Sequence, residues 1–294
     1  MAVEWAWMQQ AFTVMLNLAV AVAVGASMSA IWMARGGARW AVAPRRRLRL
    51  AGLAALAVAM LASAGVLWLE AAAMAEVAPA QAAPAVRAML TATHLGVAWQ
   101  VGIGALLFSM GALALRGPRA LAFNLLGLAA FLYTRSMVSH AAADGDFSVP
   151  IAVDWLHLML VCLWTGEVAV AGWLVRLDDG DWTRYAAALS HTATLALGGI
   201  VATGLFGAWR NVGSPAALTG QVYGTILLAK LALVAIAVLL GGANRFFVMP
   251  SLRGDNACAA ARRFTAILRI ESVVLLGVLV LAAVLSATAP PTAL

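Results

Sequence analysis

Apolar runs of roughly 20 residues alternate with short polar connections along almost the whole chain, and eight such runs can be drawn. Their approximate limits are 10–34, 48–72, 93–115, 119–141, 153–175, 185–209, 221–242 and 265–289. Each is long enough to cross a hydrocarbon core roughly 30 Å thick. Short segments alternating apolar and polar residues, the mark of a membrane barrel, are absent from the sequence. Lipid leaves only helices or closed barrels as ways to satisfy a spanning backbone. The predicted fold is therefore all-α: a polytopic membrane helical bundle with eight transmembrane helices, forming a single integral-membrane domain over residues 1–294. No internal repeat rises above the Ala and Leu enrichment, although two parallel four-helix halves divided near residue 145 remain possible.

Composition agrees with the pattern. Of 294 residues, 64% are hydrophobic and 11% charged, and the mean hydropathy is +0.94. A soluble domain averages roughly 45–50% apolar and about 25% charged residues, so soluble and disordered classes are excluded. Cys162 lies in an apolar run and Cys258 in a polar loop, which argues against a disulfide. The net charge of +7 follows topology. Most of the basic residues fall on alternate connections: Arg35, Arg39, Arg45, Arg46, Arg47 and Arg49, then Arg116 and Arg119, then Arg176 and Arg184, then Arg245, Arg253, Arg262, Arg263 and Arg269. The positive-inside rule then predicts both termini on the periplasmic side and no nucleic-acid partner. The opening "MAVEWAWMQQ" carries Glu4 and no basic residue, so a cleaved signal peptide is not expected and the first span is retained. Trp5, Trp7, Trp68, Trp99, Trp155, Trp182 and Trp209 fall near span ends, as interfacial anchors contacting membrane lipid would.

Ionisable groups inside spans are costly enough to be functional candidates. His94, His140, Asp154 and His157 lie within roughly 8 Å of the outer ends of spans three, four and five. In "FLYTRSMVSHAAADGD", Tyr133, Met137 and His140 share a helix face, and Asp154 and His157 are three residues apart in the next span. Imidazole with thioether suits copper, Cu(I) above Cu(II), while imidazole with carboxylate also admits zinc. The candidate metal ligands are His140 and His157, with His94 and Met137 beside them. Asp144, Asp146 and Asp154 read first as solvated loop and helix-end charges, and second as ligands. A second polar layer, roughly 8–12 Å from the inner face, contains Glu167, His191 and Glu271. With Asp154 these form a possible relay, the alternative being that Glu167 and Glu271 neutralise Arg135, Lys230 or Arg269. "LGGIVATGLFGAW" and "GVAWQVGIGALLF" are helix-packing signals, and their Gly-x-Gly pairs follow no strand. No Ser/His/Asp set, zincin motif, CxxC or ATPase motif is found, so an enzyme is not expected.

The ordered pieces "SHAAADGD", "DWLHLMLVCLWTGE", "VATGLFGAWRN", "YGTILLAKLAL", "GGANRFFVMPSLR" and "RIESVVLLGVLVLAAVLSATAPP" resemble the CopD copper-resistance proteins of bacterial inner membranes. The likeness runs over residues 133–291. It implies an eight-helix inner-membrane protein linked to copper uptake or resistance, working beside a periplasmic copper-binding donor protein. It carries over His140, His157, Trp164, Gly166, Tyr223, Lys230, Asn244, Arg245 and Glu271 as family-like positions. Where the family commonly has a second glycine after Trp-x-Gly, this chain has Glu167. The expected function is copper import or transfer from periplasm towards cytoplasm through a His/Met site near the periplasmic face. Two alternatives stand beside it: a b-type haem held by two histidines for electron transfer, and a structural or assembly protein of the membrane.

Overall fold

A computed structural model describes residues 2–35, 42–115, 118–177, 182–212, 222–254 and 256–288. The sequence signals carried by Arg39, Arg116 and the last residues of the chain lie outside the described residues. Among the described residues there are nine α-helices and no strand. They are α1 (Ala2–Arg35), α2 (Val42–Met74), α3 (Ala83–Ala92), α4 (His94–Ala114), α5 (Pro118–Ser136), α6 (Val149–Trp173), α7 (Trp182–Val212), α8 (Val222–Ala243) and α9 (Ala257–Ser286). Eight of these coincide with the eight apolar runs, and α3 is an additional short helix leading into α4.

Among the described residues, seven helices are long and apolar enough to cross a membrane: α1, α2, α4, α6, α7, α8 and α9. The remaining expected span is α5, whose 19 residues are diluted by Arg119, Asn124 and Arg135. Helix α5 lies antiparallel against α4, with Ser109 Oγ donating to the Asn124 carbonyl at 3.2 Å and Thr134 beside Gly102. Antiparallel registers recur throughout the bundle. Gln9 of α1 donates to the Glu70 carboxylate at the far end of α2. His157 and Glu167 of α6 meet Thr203 and Thr192 of α7, and Tyr223 of α8 packs on Leu285 of α9. The bundle therefore has a His140 end, where α2 and α5 finish and α4 and α6 begin, and a Trp182 end, where α7 begins.

Helix boundaries follow local chemistry. The Thr93 side chain accepts from Gly96 N at 3.0 Å and starts α4. Ser148 is extended and Pro150 occupies the first turn of α6, so the helix begins at Val149, one turn earlier than the apolar run suggests. Between α5 and α6, Ser139 caps a short 3-10 turn, His140–Asp144. Gly145 ends that turn at φ 96°, a backbone region that side chains with a Cβ rarely occupy.

Helix α1 is central, packing on α2, α6, α9 and α5. At its crossing with α6, a Cβ at Gly166 would collide with the Ala21 carbonyl, and one at Gly25 would collide with the Gly166 carbonyl. The two backbones touch there. Polar pairs fasten the same helix elsewhere: Asn124 Nδ2 donates to Ser27 Oγ at 2.8 Å, and Ser29 Oγ lies 2.8 Å from Tyr185 OH. Trp5, Trp7, Trp68 and Trp209 are exposed, as interfacial anchors would be, whereas Trp182 is 5% exposed and packs edge-on against Tyr185 and Phe264. It is a core residue because α7 buries its first turn against α9. Trp173 takes the exposed place instead, with the Arg269 guanidinium 5.3 Å from its ring centroid.

The crossing sets a measurable asymmetry among glycines. Gly166→Ala is expected to destabilise the protein by about 1–3 kcal/mol through overpacking against backbone. Gly104→Ala, whose added Cβ meets nothing within 4 Å, is expected to change stability by less than about 1 kcal/mol. Thermal denaturation in detergent, followed by the monodisperse fraction, distinguishes the two, and equal losses would show that the α1–α6 contact is not limiting.

Candidate functional site

The polar side chains at the His140 end fall into two sets. The first is at the surface and belongs to the loop between α5 and α6. His94 Nε2 lies 2.8 Å from Asp146 Oδ2, and Arg210 Nη1 lies 3.2 Å from Asp144 Oδ2. Tyr133 OH donates to the Asp146 carbonyl at 2.6 Å and its ring meets Trp155 edge-on. The two loop carboxylates thus tie the loop to α4 and α7. His140 is exposed on the 3-10 turn and makes no side-chain hydrogen bond among the described residues; Met137 is half-buried just before it.

The second set lies deeper. Asp154 Oδ2 accepts from Ser139 Oγ at 3.2 Å. Arg135 of α5 and Lys230 of α8 are both within electrostatic reach of the Asp154 carboxylate, Arg135 also senses Glu70 of α2, and Lys230 also acts on His157. Residues from four helices therefore form one charge cluster. Because α6 starts at Val149, His157 sits about 12 Å along the helix from that start rather than near its end.

His157 Nδ1 lies 2.8 Å from Thr203 Oγ1. The Thr203 hydroxyl proton is already directed at the Gly199 carbonyl, 2.7 Å away. With the hydroxyl proton on that carbonyl, Thr203 accepts from His157 Nδ1–H, and the lone pair is then on Nε2, the nitrogen able to coordinate a metal ion or accept a proton. A hydrogen bond of this kind fixes both tautomer and ring orientation, as the outer partners of metal-binding histidines do.

The second polar layer is only partly assembled. Glu167 is fully buried; Thr192 Oγ1 donates to its Oε2 at 2.7 Å, and its Oε1 has no partner among the described residues. Glu271 is 2% exposed and its Oε1 accepts from Trp164 Nε1 at 3.3 Å. His191 is exposed on the outer face of α7, one residue from the inward Thr192. Neither Glu167 nor Glu271 forms an ion pair with a described basic residue. Arg269 donates from Nε to the Gly172 carbonyl at 2.8 Å. Among the described residues, no three His, Cys, Asp or Glu side chains converge as a metal-binding group, and no hydrogen bond joins His140, His157 and His94 to one another.

Sequence reasoning passed over Thr203, Thr192, Gln9 and Glu70. Glu70 carries a signal in its position, an acid within the last turns of an apolar run. The two threonines carry none, because a hydroxyl in an apolar helix reads as packing until its partner is known.

Comparisons with known proteins cover most of the chain. Residues 3–149 match the family described as copper resistance protein D-like, N-terminal domain, and residues 183–285 match copper resistance protein D. The chain is 31% identical over 199 residues to copper resistance protein D of Pseudomonas syringae pv. tomato, covering 61% of this chain and 64% of that protein. It is 32% identical over 109 residues to inner membrane protein YebZ of Escherichia coli (strain K12), covering 36% of this chain and 37% of that protein. Each match thus spans less than two thirds of the relative's own length. No solved structure matches the chain.

The charge cluster gives a direct test. If Asp154 and Lys230 sustain each other, removing one charge leaves the other uncompensated in a poorly solvated place, and removing both relieves it. Asp154→Asn and Lys230→Met are each expected to lower stability, with the double variant recovering at least about 0.5 kcal/mol relative to additivity. Strictly additive losses in thermal denaturation would show that the two groups do not interact.

Proposed function

The chain belongs to the copper resistance protein D family, and from that premise we propose that it carries copper across the bacterial inner membrane, from periplasm towards cytoplasm. It is a multi-pass inner-membrane protein, in keeping with its seven apolar helices and with the names of its relatives. In this reading α5 is the eighth crossing and residues 1–294 act as one bundle. Both termini and the His140 end face the periplasm, because the basic residues concentrate at the Trp182 end.

The observation that carries the reading is the 2.8 Å contact of His157 Nδ1 with Thr203 Oγ1, which orients the ring. Its Nε2 lone pair is held free, part-way into the bundle, beside Asp154 and Lys230. Copper, as cargo, meets His140 first at the exposed loop, with Met137 and His94 close by in the chain fold. It passes to His157, and imidazole with thioether favours Cu(I) over Cu(II). Further in, the seam between α6 and α7 carries a second polar pair, Glu167 with Thr192, about 15 Å along the helix from His157. Glu167 has a free buried oxygen, and Glu271 on α9 lies near the same level; these are the inner steps of the relay. Leu160 packs against Gly199 between the two pairs and closes the seam. Transport in this reading runs down the copper gradient, from a periplasmic copper-binding donor protein, with no bond-making chemistry by the chain itself.

The test is copper retained per protein after anaerobic equilibration with Cu(I). The His140→Ala, His157→Ala double variant is expected to lose about one ion, and Thr203→Val to bind about tenfold more weakly without losing stoichiometry. Equal retention by the parent and the double variant would remove both histidines from copper handling.

A further inference from the structure

At the other end of the bundle, α6, α7, α8 and α9 line a partly open cavity of about 380 Å³. Its walls are mostly apolar, with Trp164, Leu189, Leu197, Phe264 and Leu268 among them. Glu271 lies in the wall, one oxygen held by Trp164. A hollow of this size and mostly apolar lining, set among helices long and apolar enough to span a membrane, accepts an acyl chain.

The rim is built differently. Helix α8 does not end in a simple cap: Asn244–Val248 forms a wider π turn, a distortion that often marks functional positions. Asn244 turns inward and donates to the Phe264 carbonyl at 3.2 Å. Arg245 turns outward, and its Nη1 donates to Ser190 Oγ at 2.9 Å, to Thr194 Oγ1 at 2.8 Å and to the Ser190 carbonyl at 3.3 Å. One guanidinium nitrogen thus anchors the side chain across the rim, while Nε and Nη2 have no acceptor among the described residues. Phe246 and Phe247, next along the turn, are 69% and 79% exposed. Arg253 and, at the start of α9, Arg262 and Arg263 are exposed at the same end of the bundle. A positioned cation with two unused donor nitrogens, flanked by exposed aromatic rings and set over an apolar slot, has the charge and shape of a phospholipid site. Basic pockets between membrane helices recognise anionic headgroups in this manner.

We infer that the cavity between α7, α8 and α9 binds one anionic glycerophospholipid, its phosphate at Arg245 and one acyl chain inside. Arg245 is pre-organised by α7, so binding does not require ordering a long side chain. The acyl chain fills volume lined by Trp164, Leu197 and Leu268, and in doing so it joins α7 to α8. The cavity wall includes Glu271, which the copper reading places among its inner steps; the lipid inference stands on the geometry of this end and does not rest on that reading.

Native mass spectrometry of the detergent-solubilised protein, titrated with dioleoylphosphatidylglycerol or dioleoylphosphatidylcholine, separates headgroup from chain. Phosphatidylglycerol is expected to bind about fivefold tighter, the contribution of one arginine near a membrane surface. Arg245→Gln is expected to abolish that preference. Gly242→Leu enlarges a residue of the cavity lining at which an added Cβ meets nothing within 4 Å, and is expected to remove binding of both lipids while leaving the fold intact. Sodium phosphate alone is expected not to displace the lipid. Equal affinity for the two lipids, a preference that survives Arg245→Gln, binding that survives Gly242→Leu, or displacement by phosphate would each overturn the inference. Copper retention measured on the same Gly242→Leu preparation distinguishes failure of the lipid site from failure of the copper reading.

Discussion

The contact on which the rest of the bundle depends is the crossing of α1 and α6, where Gly25 and Gly166 let two backbones meet without intervening side chains. In a membrane, lipid tails are as apolar as leucine, so helices gain little from hiding apolar surface and must gain it from close packing and polar contacts. Small residues at one crossing supply that closeness. The consequence reaches the adjacent residue: Glu167 follows Gly166 directly and is carried into the interior, where Thr192 is the group that meets it. Once α6 is fixed to α1, its remaining faces are committed to α5, α7 and α9. The positions of His157, Trp164 and Asp154 follow from that commitment.

Two solutions to the cost of polarity operate within a few residues of each other. Where water reaches, carboxylates of the α5–α6 loop pair with His94 and Arg210 on separate helices. Where it does not, groups are oriented by hydroxyls: Thr203 for His157, Thr192 for Glu167, Ser139 for Asp154. A hydroxyl fixes a ring or carboxyl without neutralising it, so the group stays chemically available. Lys230 and Arg135 supply positive charge within electrostatic reach of the Asp154 carboxylate. An arrangement of this kind holds an ionisable group ready at a position where it would otherwise be excluded.

Much of the architecture is legible in the sequence because lipid imposes one length on every span. All eight apolar runs are helices, and the shift of α6 to Val149 traces to Pro150, a start signal that hydropathy does not count. The short helix α3 escapes an apolar-run reading because ten residues cannot span. Depth was readable too, since rise per residue is constant. Rotation was not. His191 and Thr192 have the same depth, yet a 100° step sends one outward and the other onto Glu167. Two adjacent helix ends place His140 and His157 close in the sequence pattern, and the structure adds what the pattern lacks: His157 bonds to α7, and His140 stands on a separate 3-10 turn. Arg245 could be placed at a helix end from sequence, but its hydroxyl anchors on α7 come from an element more than 50 residues away.

The loop between α5 and α6 is tethered by Asp144–Arg210 and Asp146–His94, and three of these four side chains are at least 31% exposed. Dissolved ions reach such pairs. At an ionic strength near 0.1 M, the field of an exposed charge fades over roughly 10 Å, and at 1 M over about 3 Å. The pairs around Asp154 are shielded by protein and feel this far less. Concentrated salt therefore acts selectively on this molecule, slackening the loop that carries His140 from α4 and α7 while the charges beneath it keep their mutual hold. The outermost histidine is thereby coupled to the ionic composition of the medium it faces, and the buried one is insulated from it.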